Sequence, residues 1–459
     1  MKPFRRRPYL HLALSAILMT QNALAIQLDL SSSDSIKAAA KTVADEMVSY
    51  YTGYRPGDVP GNLPAPYYWW EAGAMFGALI DYWYFTGDDS YNEITTQAML
   101  HQVGPDNDFM PPNQTKTEGN DDQAFWGMAA LSAAENVFPN PPETQPQWLA
   151  LAQAVFNTQA ARWDTTSCAG GLKWQIFAFN NGYNYKNTIS NGCFFNMGAR
   201  LAVYTGNQTY ADWAERMWDW VTAIGLRDAQ YNFFDGSDDT INCTQLDHIQ
   251  WTYNAGTFLV GAANMYNFTG GNQVWEDRIN GIIARLSVFL QNNILKEVAC
   301  EGVNPDGSDT CNVDQRSFKA YLARWMAATM VRAPFTYPLL KPILETSAAA
   351  AASVCTGGVN GTSCGLKWWA GHFDGSTGVG EQMSALEVIQ SNLVTQVAGP
   401  VTQGSGGTSK GDPNAGTSSP IGPQDLNKEK VTTADKAGAA ILTVLLVFFI
   451  VGGAWWMVL

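Results

Sequence analysis

Histidine and basic residues are scarce in this sequence of 459 residues. There are four histidines, and none lies in a close group with cysteines, which is the ligand pattern of zinc sites. Lysine and arginine number 27 against 41 aspartates and glutamates, for a formal net charge of -14. An acidic surface repels phosphate backbones and anionic head groups. The composition therefore argues against a metal site and a nucleic-acid partner, and no motif indicates a cofactor.

Segments with the alternating polarity of a β-strand are also scarce, and residues 172–178 are the best candidate. Apolar segments of helical length are frequent instead. Residues 124–134 and 257–266 are apolar on nearly every side, which is typical of helices enclosed by other helices. Residues 212–224 and 274–290 keep a charged face for solvent. The sequence therefore predicts an all-α body built from two kinds of helix.

A repeated segment joins these helices. Residues 82–91, 199–210 and 265–275 share an aromatic residue, a Thr-Gly turn, polar residues and a closing aromatic residue. Each segment indicates one helix ending at a glycine and a second helix starting soon after it. The closing aromatic residues, which recur about every sixty residues, are Tyr91, Trp148, Tyr210 and Trp275. This period suits a pair of ordinary helices with their loops, so the repeat indicates one domain over residues 26–397.

Polar and aromatic clusters open six of the apolar helices. They lie at 69–71, 121–122, 190–191, 248–254, 314–315 and 381–382. Six enclosed helices inside six amphipathic ones form an (α/α)6 toroid of six helical hairpins. In that fold the openings of the inner helices gather at one end, and we expect the polar clusters to meet there.

The two ends of the chain differ from this body. Residues 1–25 have a basic start, an apolar run and a small-residue exit, which predicts a secretory signal peptide. Residues 398–436 are rich in Gly, Ser, Thr and Pro, which predicts a flexible stalk. Residues 437–459 are hydrophobic, and nothing basic follows them. This pattern favours the removable tail of a glycosylphosphatidylinositol (GPI) signal over a membrane-spanning anchor. We expect a protein of the secretory pathway that is held at the cell surface.

Seven cysteines in an exported chain predict disulfides with one thiol left over. Cys300 with Cys311 and Cys355 with Cys364 are close enough in sequence to clip local loops. The sequence leaves the pairing of three others open: Cys168, Cys193 and Cys243. Five N-x-S/T sequons agree with export. They begin at Asn113, Asn207, Asn242, Asn267 and Asn360.

Two neighbouring aspartates stand in the segment TEGNDDQAFWG, residues 117–127. Two other Asp-Asp pairs serve as internal controls, because residues 88–89 lie in a repeated turn whose counterparts lack carboxylates and residues 238–239 open no helix. Asp121 and Asp122 alone stand at the mouth of an enclosed helix. A helix cap needs one carboxylate and not two. The pair therefore calls for a further explanation.

Retaining cleavage of a glycosidic bond supplies one, since it uses two carboxyl groups about 5 to 5.5 Å apart. Neighbouring residues on a helix can reach that separation. The helix opening favours the charged form of one carboxylate, as a nucleophile requires. Repulsion from that charge raises the pKa of the other, as an acid requires. We therefore predict that Asp121 and Asp122 are a catalytic pair.

Aromatic residues accompany the polar clusters. The sequence has 17 tryptophans and 18 tyrosines, and flat faces of this kind stack on sugar rings. Filling of the toroid interior is the alternative explanation for any one of them. Those at the cluster positions are Tyr68, Trp69, Trp70, Trp126, Trp251, Tyr253, Trp368 and Trp369.

Several long motifs resemble one family. They are GNDDQAFWG, WQIFAFNNGYNYKNTISNGCFF, HIQWTYNAG, DQRSFKAYLARWMA and GVGEQMSALEVIQSNL. Together, over residues 33–395, they resemble the fungal members of glycoside hydrolase family 76, which are GPI-anchored mannan endo-1,6-alpha-mannosidases implicated in cell-wall assembly. The resemblance implies an (α/α)6 fold and retaining chemistry, with Asp121 as nucleophile and Asp122 as acid/base. It also implies transglycosidase action that moves GPI-anchored proteins from the membrane glycan onto wall glucan.

Further residues of these motifs are candidates for sugar binding, although each could equally be a packing residue. They are Trp70, Asn120, Trp126, Lys186, Asn191, His248, Trp251, Tyr253 and Asn254. Two hypotheses follow. The first is a retaining glycosidase or transglycosidase acting on alpha-1,6-mannosyl or GPI-core glycans, with wall glucan as an acceptor and the membrane reached through the C-terminal anchor. The alternative is a non-catalytic wall protein that binds mannan or GPI glycans on the same fold.

Overall fold

Helices that alternate along the chain form two concentric rings in the computed structural model, which describes residues 25–418 and 433–458. The inner helices are α2 (Trp69–Thr86), α4 (Asn120–Glu135), α6 (Thr188–Thr205), α8 (Thr252–Phe268), α10 (Phe318–Arg332) and α12 (Val379–Gln390). The outer helices are α1 (Ser33–Ser49), α3 (Asn92–His101), α5 (Trp148–Ala161), α7 (Gln208–Ala223), α9 (Gln273–Arg285) and α11 (Tyr337–Val354). Each inner helix contacts the next, and α12 contacts α2 to close the ring. The predicted (α/α)6 toroid is confirmed.

The two rings follow from the distribution of apolar residues. The inner helix α4 buries every residue except Asp121 and Asp122. The outer helix α7 buries one side only, through residues such as Ala214, Met217 and Val221, whose spacing of three and four places them on one helical face. Burial on all sides therefore distinguishes the inner ring, as the sequence predicts.

Glycines end the inner helices at the repeated Thr-Gly turns. Gly87 and Gly206 cap α2 and α6 with φ of 77° and 71°, a left-handed conformation that glycine adopts without steric cost. The closing aromatic residues pack on inner helices, Tyr91 on that of its own hairpin and Trp275 on that of the preceding one. Ring centroids are 5.4 Å apart for Tyr91 and Tyr82 of α2, and 6.1 Å apart for Trp275 and Phe195 of α6. The turn and its aromatic residue thus hold each outer helix against an inner one.

The strands are short and lie in the connections between hairpins. A three-stranded antiparallel sheet comprises β1 (Tyr185–Asn187), β2 (Gly236–Asp238) and β3 (Leu246–Asp247), in that order. Two small hairpins pair β4 (Leu290–Gln291) with β5 (Ile294–Leu295) and β6 (Cys355–Gly357) with β7 (Ser363–Cys364).

The predicted strand at residues 172–178 is wrong. In that segment Gln175 forms an isolated bridge with Gly119, and no ladder continues from it. Side chains bond its backbone instead, because Asn191 binds both the N–H and the carbonyl of Leu172, and Asn120 donates to the carbonyl of Lys173.

Three disulfides stabilise the connections. The predicted pairs Cys300–Cys311 and Cys355–Cys364 are confirmed. The third disulfide joins Cys168 to Cys243, which are separated by 75 positions in sequence. Cys193 is the free thiol that the odd count requires, and it is buried in α6.

Residues 398–417 pack along the outside of the toroid, whereas their composition predicts the start of a flexible stalk. The N–H of Val401 donates to the carbonyl of Glu135, at the end of α4. Further on, the Ser409 hydroxyl accepts a hydrogen bond from the N–H of Leu149 at 2.9 Å, and the N–H of Asp412 donates to Gln153. We call residues 398–417 the strap, because these bonds hold the segment to α5.

The C-terminal helix α13 (Thr433–Val458) follows the toroid and the strap in sequence. Its segment Lys436–Gly453 is long and apolar enough to cross a membrane, by length and composition. Most of the predicted signal peptide, at residues 1–24, lies outside the described residues, and so do residues 419–432 of the predicted stalk.

Candidate active site

The N-terminal ends of the inner helices surround a cleft of about 330 Å³. Its aromatic lining consists of Trp70, Phe125, Trp174, Tyr185, Trp251, Tyr253 and Phe318. Its charged lining consists of Asp121, Asp122, Asp235, Asp247 and Asp314. None of the lining residues is a lysine or an arginine. The cleft is therefore both aromatic and strongly acidic.

Asp121 and Asp122 lie in the first turn of α4. The extended residue Gly119 precedes the helix, and its N–H donates a hydrogen bond to Oδ2 of Asp122 at 2.7 Å. Because the helix starts at Asn120, both carboxylates stand where unpaired backbone N–H groups and the helix dipole favour negative charge. The hydrophobic remainder of α4 buries the helix, and these two carboxylates enter the cleft beside the ring of Phe125.

Burial raises the pKa of both aspartates. The pKa of Asp121 lies well above its usual range, because of burial first and the charge of Asp122 second. Burial raises the pKa of Asp122 to about 6, with a further contribution from Asp314, whereas the hydrogen bond from Gly119 lowers it. The two carboxyls titrate as an interacting pair. The pair thus keeps a proton at a pH where isolated aspartates are charged.

The origin of these shifts differs in one respect from the sequence expectation. The helix opening favours charge on both carboxylates, because backbone N–H groups of the first turn lower the pKa of Asp121 and the N–H of Gly119 lowers that of Asp122. Repulsion was expected to raise the pKa of the acid, Asp122, whereas in the structure the charge of Asp122 raises the pKa of Asp121.

Three of the predicted sugar-binding residues line the cleft. The indole N–H of Trp70 donates to Asp314 at 3.0 Å, and that of Trp251 donates to Asp235 at 2.9 Å. The ring of Tyr253 stacks on Phe318 with centroids 3.8 Å apart. Carboxylates thus fix the indole edges of Trp70 and Trp251, and part of each ring lines the cleft.

Lys186 and Asn191, two further candidates for sugar binding, lie in the wall and not in the cleft lining. Lys186 is fully buried, and its ammonium group donates to the carbonyls of Ser167 and Gly170 and pairs with Asp164 at 3.1 Å. Its role is to satisfy the loop that carries Cys168. Asn191 is also fully buried and bonds the backbone of Leu172.

Four further candidates are likewise absent from the cleft lining. Asn120 is buried behind the pair. Trp126 is fully buried and stacks between Trp69 and Phe109, with centroids 5.2 and 5.6 Å away. Asn254 is fully buried as well. His248 is exposed and meets the ring of Phe234 edge-on. A position at the opening of an inner helix does not by itself show whether a side chain lines the cleft or is buried in the protein.

The structure also adds residues that the sequence does not single out for the site. Asp235 accepts hydrogen bonds from Tyr185 at 2.7 Å and from Trp251, and it lies beside Asp247 across the β2–β3 connection. Trp174 lines the cleft and an adjoining depression of about 640 Å³, which shares Tyr185, Asp235 and Asp247 with it. Asp314 belongs to one of the helix openings found in the sequence. Asp235 and Asp247 are instead brought to the cleft by strand pairing, which the helical pattern of the sequence does not reveal.

A toroid of six helical hairpins with two adjoining carboxylates in an aromatic cleft defines the class of an (α/α)6 glycoside hydrolase. The model of the glycosyl hydrolase family 76 matches residues 35–404 of this sequence. The chain belongs to that family.

Relatives with known names agree. The mannan endo-1,6-alpha-mannosidase DCW1 of Saccharomyces cerevisiae is 48% identical over 97% of this chain and 98% of its own length. The crystal structure of Dfg5 from Chaetomium thermophilum in complex with glucosamine is 46% identical, covers 86% of this chain and 99% of that chain, and has a TM-score of 0.82. An inactive variant of the alpha-1,6-mannanase of Salegentibacter sp. HEL1_6, in complex with alpha-1,6-mannotriose, shares the fold at 16% identity and a TM-score of 0.62, covering 78% of this chain and 99% of that chain.

Proposed function

We propose that this protein is a retaining glycosidase or transglycosidase that acts on alpha-1,6-mannosyl glycans at the fungal cell surface. The observation that carries the proposal is that α4 buries all of its residues except Asp121 and Asp122, which enter an aromatic cleft side by side. The DCW1 relative, 48% identical over nearly the whole chain, has the activity in its name.

Asp121 attacks the anomeric carbon in this proposal, and Asp122 donates a proton to the leaving oxygen. The glycosyl ester on Asp121 is then released when Asp122, now charged, takes a proton from water or from a sugar hydroxyl. A pKa of about 6 for Asp122 supports its role, because a group that gives and takes a proton works best near the pH of the reaction. The opposite order, with Asp122 as nucleophile, draws support from the Gly119 hydrogen bond that favours its charge.

The order can be decided by trapping the intermediate. A slow fluorinated mannoside would leave its sugar esterified to the nucleophile, and peptide mass spectrometry would locate it. We expect the label on Asp121. A label on Asp122 would reverse the two roles while leaving the pair catalytic.

The acidity of the cleft supports a donor that carries a positive charge. Five aspartates and no basic residue line it, and an amino sugar would bring an ammonium group to balance part of that charge. The Dfg5 structure of Chaetomium thermophilum is a complex with glucosamine, an amino sugar. We therefore keep the GPI-core glycan among the donors, with a sugar chain extending along the adjoining depression.

Wall glucan is the acceptor in the transglycosidase form of the proposal. Anchorage through the C-terminal segment, by a GPI anchor or a spanning helix, would hold the cleft near membrane-bound donors. The apolar helix α13 supports such an anchor by its length and composition.

The test is to incubate the purified glycoprotein with a labelled alpha-1,6-mannoside, with and without a β-glucan acceptor, and to weigh the products. Cleavage or transfer supports the enzyme. Asp121→Asn is expected to abolish product formation, and Asp122→Asn to lower it by roughly 10² to 10⁴ fold. Asp89→Asn, an exposed residue of another Asp-Asp pair, is the matched control. Saturable binding with no bond cleaved or transferred would favour the non-catalytic glycan-binding protein.

A further inference from the structure

Arg162 is a buried cation directly behind the two aspartates. It caps the C-terminal end of the outer helix α5 and is only 4% exposed. One of its terminal nitrogens, Nη1, donates to Oδ1 of Asn120 and to Oε1 of Gln123, both at 2.7 Å. These two residues bracket Asp121 and Asp122 in sequence.

The spacing of these contacts has a geometric consequence. Asn120 and Gln123 are three residues apart, so they share one face of the first turn of α4, and they turn inward to the protein while the aspartates turn outward to the cleft. A single guanidinium nitrogen that binds both of them fixes the rotation of that turn about the helix axis. The directions of both carboxylates are fixed with it.

Other bonds complete the hold on the same turn. Gln159, one turn earlier in α5, donates to the carbonyl of Asn120 at 2.6 Å. Gln123 donates in turn to the carbonyl of Asp108 at 2.7 Å. The donors in these two contacts are neutral side-chain amides. Arg162 is the charged donor to the same turn of α4.

The charge of Arg162 is costly to bury, and two buried carboxyls balance part of it. Burial lowers the pKa of Arg162 to about 10, although the charges of Asp108 and Glu118 oppose the shift, so the group stays cationic at neutral pH. These carboxyls explain a cation in this part of the wall, but they do not explain why its Nη1 binds the two residues beside the aspartate pair. That contact is the geometric observation on which a positioning role rests.

We propose that Arg162 is a positioning residue of this enzyme, which holds Asp121 and Asp122 in their catalytic directions by clamping Asn120 and Gln123. The proposal rests on the proposed function for its kinetic consequence. Enzymes need their reacting groups placed within about 0.5 Å, and an error of about 1 Å costs roughly 100-fold in rate. Loss of the clamp should therefore lower turnover far more than substrate binding.

The experiment compares Arg162→Gln and Arg162→Lys with the matched control Arg332→Gln. Arg332 is another buried arginine, at the opposite end of the toroid, where it lies 3.8 Å from Glu135. We expect Arg162→Gln to lower kcat about 100-fold with KM changed less than about threefold. Arg162→Lys should recover part of the loss because it restores a charged donor. Arg332→Gln should keep kcat within about twofold of wild type at a similar loss of melting temperature.

Crystal structures of the wild type and Arg162→Gln supply a readout that does not depend on the substrate. The proposal requires the carboxylates of Asp121 and Asp122 to move by about 0.5 Å or more in the variant. Unmoved carboxylates, an unchanged kcat, or equal losses in Arg162→Gln and Arg332→Gln would overturn it. If Arg162→Gln does not fold, Arg162→Lys and Gln123→Met, which removes one acceptor of the clamp, are held to the same criteria. A wild type without turnover would contradict the proposed function alone, since the carboxylate positions would still test the clamp.

Discussion

Gly119 has no side chain at the point where the Asp121 carboxylate lies. A Cβ on Gly119 would collide with Oδ1 of Asp121 and would also lie 3.2 Å from the indole nitrogen of Trp174. The backbone of Gly119 is extended, with φ of -89°, so its conformation suits any residue and only the space around it requires glycine. The same residue donates its N–H to Asp122. Gly119 therefore serves both carboxylates, one by a hydrogen bond and one by leaving room.

The first prediction concerns this glycine. Gly119→Ala should displace the Asp121 carboxylate and lower kcat about 100-fold, because small errors of position are costly at a reacting group. The matched control is Gly399→Ala, whose new Cβ would make an ordinary contact of 3.5 Å with Val331. Steady-state kinetics on the mannoside check the prediction. An alanine variant with wild-type kcat would show that the carboxylate tolerates the displacement.

The second prediction is that the carboxylate of Asp122 reduces stability at neutral pH. The pKa of Asp122 rises from 3.8 in the unfolded chain to about 6 in the folded protein, so the folded state binds the proton more tightly. The cost to folding is therefore absent below about pH 4, grows between pH 4 and 6, and is complete above that range. Asp122→Asn should raise the free energy of unfolding at pH 7 by about 1 to 3 kcal/mol and have little effect at pH 4. Chemical denaturation at both pH values measures the difference.

This second prediction separates catalysis from stability, because the same variant should lose activity while it gains stability. A structural aspartate would behave in the opposite way. Destabilisation of Asp122→Asn at pH 7 would indicate that the hydrogen bond with Gly119 outweighs the burial of the charge.

The third prediction concerns the alkaline limb of the pH profile. If Asp122 is the acid, kcat/KM should fall as the pH rises through about 6, where Asp122 loses its proton. The charge of Asp314 contributes to the raised pKa of Asp122. Asp314→Asn should therefore shift this limb to lower pH. Asp89→Asn serves again as the control, and a limb that does not move would remove Asp314 from the electrostatics of the pair.

The ring of helices and the position of Asp121 and Asp122 at a helix opening could be predicted, because both depend on local patterns. All-round burial identifies α4 by its sequence, and the Thr-Gly turns mark the ends of α2 and α6. The cleft lining could be predicted only in part. Asp235 and Asp247 reach it through the pairing of β2 with β1 and β3, which are strands of two or three residues with no pattern of their own.

Buried polar residues that bond to the backbone were the hardest to place from the sequence. Lys186 looked like a group that binds hydroxyls, but its ammonium satisfies carbonyls of a loop whose course depends on the disulfide between Cys168 and Cys243. Asn191 likewise satisfies the segment around Leu172. Buried polar groups need partners, and the partners of these two residues are backbone groups that no sequence pattern reveals.

The composition of the strap likewise does not predict how it packs. Its glycines suggest flexibility, yet Gly411 and Gly416 lie where a Cβ would collide with α5, so their small size allows close packing. The chain bonds α5 from Ser409, beside its start, to residue 415, whose carbonyl accepts a hydrogen bond from Asn157. The order of these contacts takes the strap from the end of the toroid opposite the cleft towards the end that carries the cleft.

The last prediction tests whether the strap stabilises the toroid. Ser409 caps the start of α5 although it lies far from that helix in sequence. Its hydroxyl accepts the hydrogen bond of the Leu149 N–H, which has no partner within the helix. Ser409→Ala should lower the free energy of unfolding by about 1 kcal/mol, the usual cost of a lost cap, without changing kcat. Ser405→Ala, which affects only bonds to Thr402 within the strap, is the control. Equal stability of the two variants in chemical denaturation would show that the strap lies on α5 without supporting it.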